Sequence, residues 1–134
     1  MELRSVEELM DLLYAGRPQH ALRTAALLRR GRPADKELQV AGLVRGIGPV
    51  LSPHDEAARA RSAAEAVRSL LGERVYRLVR ADTDAPGPAD DDALRLRQAA
   101  EEGRTAGFDA GVLEDWRTVL ELVAARHARL GAVD

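Results

Sequence analysis

Apolar residues recur at three- and four-residue intervals through most of this chain, which predicts amphipathic helices separated by glycine and proline breaks. Ser5-x-x-Glu8 has the spacing of a capping box and opens a first helix to about Leu13. Gly16-Arg17-Pro18 resets the chain, with Pro18 suited to a first helical turn, and a second helix follows from about Gln19 to Arg30. Its apolar face is Ala21, Leu22, Ala25, Ala26 and Leu28; Arg29, Arg30 and Arg32 fall where a helix C-terminus favours cations. Asp35 caps a third helix, holding Leu38, Ala41 and Val44, that ends at a Gly46/Gly48 break. Ser52-Pro53-x-Asp55 starts an alanine-rich helix to about Leu71, whose small residues suit close packing against a neighbour. Gly72 separates it from a fifth helix, Glu73 to about Asp82, with Val75, Leu78 and Val79 inward. A loop over Ala85-Pro86-Gly87-Pro88 precedes a sixth, opened by Asp90, Asp91 and Asp92 at its positive end and closed by Gly103 and Gly107.

The last helix, about Val112 to Leu130, carries Leu113, Trp116, Leu120, Val123, His127 and Leu130 at alternating spacings of three and four. That is a heptad seam with two destinations, the protein's own core or a second copy in a homodimer. Six to seven short helices with short connections predict one all-α domain, a helical bundle over 1–134.

Composition sharpens this picture. With 134 residues the chain can bury roughly 65–70% of its extended surface. Hydrophobic residues make up 46% and aromatics 3%, so Leu, Val and Ala must build the core. A net charge of −2, with both signs interspersed, gives no field to draw nucleic acid or an anionic membrane. The absence of cysteine removes disulfides, thiol catalysis and Cys-ligated zinc. No apolar run reaches 18 residues, and the acidic, amphipathic MELRSVEELM start is unlike a signal peptide, so a cytoplasmic protein is expected.

Most candidate chemistry dissolves on inspection. His20, His54 and His127 share no helix face with one another at metal-ligand spacing. His54-Asp55 could reach a metal, yet Asp55 is sufficiently explained as a helix cap. Asp82-x-Asp84-x-x-Gly87 has the outline of a calcium loop, but Pro86 and Ala93 stand where oxygen ligands are needed. Gly46-x-Gly48 is followed by Pro49 and lacks the third glycine of a phosphate loop.

Several segments together carry a resemblance to a known family. They include Tyr14-Ala15-Gly16, Gln19-His20-Ala21-Leu22-Arg23-Thr24-Ala25 and Asp35-Lys36-Glu37-Leu38. Ala41-Gly42-Leu43-Val44-Arg45-Gly46-Ile47-Gly48, Ser69-Leu70-Leu71-Gly72-Glu73-Arg74-Val75, Leu78-Val79-Arg80 and Ala93-Leu94-Arg95-Leu96-Arg97 complete the set. Together these segments resemble the HD-domain family, most closely its branch of phosphonate-degrading di-iron oxygenases; the resemblance covers about 14–103, leaves a C-terminal helix at about 112–130 outside it, and implies a bundle of five or more helices around a buried metal site.

On that resemblance the family's first metal histidine falls on His20. Its His-Asp pair falls on Arg45 and Gly46, and a substrate histidine on Pro49. The next two metal histidines fall near Arg59 and on Asp82, the substrate lysine near Pro86, and the last aspartate on Ala100 or Glu101. One metal ligand is kept, while Arg45 and Arg59 bring fixed cations that repel a divalent ion. The expectation is therefore a catalytically inactive, metal-free protein without a cofactor, acting by binding an unknown protein or small molecule. Its vestigial pocket would comprise His20, Arg45, Arg59, Asp82 and Asp84, with Arg45 or Arg59 paired to Asp82 or a nearby acid. Two alternatives stand beside it. One is a metal-dependent oxygenase or phosphohydrolase with an atypical set from His20, Asp82, Asp84 and Glu101; the other is an anion-binding module built on Arg45 and Arg59.

Overall fold

The computed structural model describes residues 2–16, 18–80, 91–105 and 107–131, with side chains to Arg129. Among them every regular element is helical: α1 (Val6–Ala15), α2 (Pro18–Gly31), α3 (Lys36–Val44), α4 (Gly48–Leu51), α5 (Arg59–Leu71), α6 (Glu73–Arg80), α7 (Asp91–Thr105) and α8 (Arg117–Gly131). Seven of these have eight residues or more and α4 is one turn, so the expected all-α bundle of six to seven helices is what the chain forms. No helix among the described residues is long and apolar enough to cross a membrane.

Local signals account for most helix starts. Ser5 Oγ accepts from the Glu8 amide at 3.2 Å, although Glu8 reaches back to the Arg4 amide (2.8 Å) rather than to the cap residue's own. Asp35 accepts from the Leu38 amide and Asp55 from the Ala58 amide, each ending a run of unsatisfied donors. Asp55 is thus the cap expected of it, and His54 is exposed. Gly72, at φ +102°, stops α5 in a conformation that other residues rarely adopt.

The helix α3 is the hub. All seven residues from Leu38 to Val44 are buried, because α2, α6, α7 and α8 pack around it. Gly42 makes the α2 contact close: a Cβ there would lie 2.6 Å from Leu28 Cδ1 and 3.1 Å from Thr24 Cγ2. The alanines of α5 do pack closely, with Ala63, Ala64 and Ala66 fully buried against α6 and α8.

At the N-terminal end of α3 the structure closes a charge network that the local pattern does not reveal. Arg74 on α6 donates Nη1 and Nη2 to the two carboxylate oxygens of Asp35 at 2.7 and 2.8 Å, and also reaches Glu37 (3.1 Å) and Asp92 (3.0 Å). Arg32, at the end of α2, adds a 3.2 Å contact to Asp92 on α7. The Arg74 guanidinium holds the Asp35 carboxyl below its ordinary value, and the same bonds raise Arg74. Four helices are tied together by this cluster.

Two expectations change, and the heptad seam takes one of its two destinations. Gly103 does not end the sixth helix but sits buried inside α7, where its missing side chain lets α2 approach. The Gly46/Gly48 stretch is no break; the chain tightens into a 3₁₀ turn, Arg45–Ile47, and winds on into α4. The heptad seam faces inward: Leu113, Trp116, Leu120 and Val123 are at most 3% exposed in this chain's own core, so they offer no surface to a second copy. His127 is half-buried beside Gly72, and the Leu130 side chain lies outside the described residues, as do the Pro-Gly-Pro loop and the calcium-loop residues Asp82 and Asp84.

Candidate functional site

The C-terminal end of α3 opens on a cavity of about 610 Å³. Its shape follows from glycines that bring backbones together. A Cβ on Gly46 would meet Ala21 Cβ at 3.1 Å, one on Gly16 would meet the Gly46 carbonyl at 3.1 Å, and one on Gly48 would meet the Arg59 carbonyl at 2.8 Å. The junction of α1 and α2, the 3₁₀ turn and the start of α5 therefore converge at one point.

His20 and Thr24 of α2, Arg45 and Gly46 of the turn, Pro49 and Val50 of α4, Glu56, Arg59 and Ala60, and Arg104 of α7 line the space. Arg45, Arg59 and Arg104 bring guanidinium groups to the described lining and Glu56 a carboxylate. Arg59 is held by neutral acceptors: its Nε donates to the Ser52 carbonyl at 3.1 Å and its Nη2 to the Pro53 carbonyl at 2.9 Å. Carbonyl dipoles orient the guanidinium and leave its formal charge in place.

His20 works differently. Its Nε2 lies 2.9 Å from the Ala100 carbonyl oxygen, which can only accept, so Nε2 carries the proton. Gly103 faces the adjoining Cδ2. The Nε2–Cδ2 edge thus belongs to α7, and the ring is a strut as well as a wall. Arg23 Nε adds a 2.8 Å bond to the Gly103 carbonyl, a C-terminal group of α7 with no partner further along its own helix. Together these bonds fix the last turn of α7, which delivers Arg104 to the cavity. The Thr24 hydroxyl donates back to the His20 carbonyl at 2.9 Å, so its proton is committed.

Of the residues expected here, His20, Arg45 and Arg59 share the cavity, and Gly46 and Pro49 line it too. The expected arginine pairing with Asp82 falls outside the described residues. Glu101 is exposed and pairs with Arg104 at 3.7 Å, away from any ligand set; among the described residues no three of His, Asp or Glu group to hold a metal ion. Arg104, Thr24 and Glu56 were not anticipated. Nothing local marks Arg104, because its place depends on the register of α7 against α2.

Comparison of the chain with family models, with curated proteins and with solved structures gives no match.

Proposed function

We propose that this protein is a non-catalytic, HD-like helical module that binds a small anionic molecule in the cavity at the C-terminal end of α3. The observation that carries the reading is the cavity itself. His20, Arg45, Gly46, Pro49 and Arg59, the positions to which the resemblance assigns a metal site and a substrate contact, all line one space of about 610 Å³. That volume lies within the usual range for organic ligands. The kept histidine supports α7 through Nε2, and Arg59 puts a fixed cation on a wall that the resemblance assigns to a metal ligand. Arginine forks match carboxylate and phosphate oxygens, so an anion is the ligand class that this lining favours.

A thermal-shift screen of carboxylates and phosphates at constant ionic strength tests the proposal. At least one anion should raise the melting temperature of the wild type, and Arg45→Ala or Arg59→Ala should abolish the shift. A screen in which no anion stabilises the protein contradicts it. Metal analysis of protein purified without chelator separates the enzymatic alternative: stoichiometric iron or manganese, lost in His20→Ala, would establish that alternative instead.

A further inference from the structure

The cavity presents cations from two walls that different parts of the fold support. Arg59 stands on α5, which packs on α6, on α4 and on the 3₁₀ turn. Arg104 stands on the last turn of α7, which packs on α2 and is fixed there by the His20 and Arg23 bonds to the Ala100 and Gly103 carbonyls. The two side chains also differ in how firmly they are held. Arg59 is anchored to two backbone carbonyls, whereas Arg104 has an exposed contact to Glu101 at 3.7 Å, a pair of the kind that contributes little and is readily exchanged. The rest of the lining is mostly apolar or uncharged, with Val50, Ala60 and Thr24, and also includes Glu56 and Arg45, which has a partner of its own.

Resting on the anion-binding reading, we propose that the ligand is an elongated organic dianion of the dicarboxylate class, with one carboxylate on Arg59 and the other on Arg104. One guanidinium from α5 and one from α7 match one singly charged group per end, and the mostly apolar remainder of the lining suits a short carbon chain. An inorganic anion would fill only a small part of the space and would engage one wall. His20 and Arg23 act as positioning residues in this scheme, because they set the α7 turn from which Arg104 reaches.

The test is calorimetric titration of the full chain with straight-chain dicarboxylates of four to eight carbons, each against the monocarboxylate of the same length. In the wild type one dicarboxylate should bind about tenfold more tightly than its monocarboxylate partner. Arg104→Gln, an exposed substitution, should remove that advantage, bringing the dicarboxylate's affinity down to that of its monocarboxylate partner. Equal affinity for the two series would overturn the two-ended inference while sparing the anion-binding reading. A dicarboxylate preference that persists in Arg104→Gln would overturn it as well. Absence of binding by either series, together with a negative anion screen, would remove the underlying reading.

Discussion

The two ends of α3 use the same charged residue types in opposite ways. At its N-terminal end Arg74 sits among Asp35, Glu37 and Asp92, so charge closes on charge and, with Arg32 on Asp92, four helices are joined. At its C-terminal end Arg59 meets only neutral carbonyls in the bonds described for it, beside a cavity that Arg45 and Arg104 also line. A guanidinium ringed by carboxylates has its donors and its field consumed locally, which serves stability. One steadied by carbonyl dipoles next to open space keeps its charge for something else. The contrast separates a structural cluster from a candidate site better than a count of arginines could.

The largest expected effect lies at the closed end. Arg74→Met should destabilise the protein by about 1–3 kcal/mol, because it strands partly buried carboxylates on two helices, α3 and α7. Urea unfolding measures this, and a loss under about 0.5 kcal/mol would show that the cluster is only a surface feature. At the open end, Gly48→Ala should cost about 1–2 kcal/mol, since the added carbon meets the Arg59 backbone, which cannot swing aside as a side chain could. It should also weaken anion binding by displacing the start of α5. If stability falls with binding intact, Arg59 does not depend on that close approach.

A pH series sharpens the comparison. Asp35 has a depressed folded pKa, so its contribution is complete above the ordinary aspartate value of about 3.9 and is lost as pH falls through the lower folded value. The stability gap between wild type and Arg74→Met should therefore be constant near neutrality and narrow only in that acid window. A gap that narrows between pH 8 and 6 would assign it to other groups. Arg59→Gln should have the smallest effect on stability, about 1 kcal/mol or less, because two single hydrogen bonds to carbonyls are lost and no carboxylate is stranded. Its effect should fall on ligand binding instead.

How much of this was legible in the chain depends on how far each signal reaches. Ser5, Pro18, Asp35, Asp55 and Gly72 act within a turn of their own positions, and each does what its residue type predicts. The heptad seam correctly marked a buried helix face, but periodicity cannot say what covers it, and here Trp116 and Leu120 are covered by the same chain. Gly103 reads as a stop in the sequence because a glycine that admits a neighbouring helix is indistinguishable, locally, from one that ends a helix. Arg74 and its acids are separated by up to 39 residues, so that cluster exists only once α3, α6 and α7 have docked. At the site, His20, Arg45 and Arg59 were singled out beforehand, whereas Arg104 reaches the cavity only through the packing of α7 on α2.

On the proposed function, the open end of α3, and not the closed one, receives an anion. Amide chemical-shift mapping by nuclear magnetic resonance, with the best anion from the thermal screen, tests this most directly. Shifts should concentrate at Gly16, Thr24, Gly46 and Arg59 and be absent in Arg59→Gln, with Lys36 to Leu38 unmoved. Shifts centred on Asp35 and Arg74, or spread evenly over the surface arginines, would contradict it.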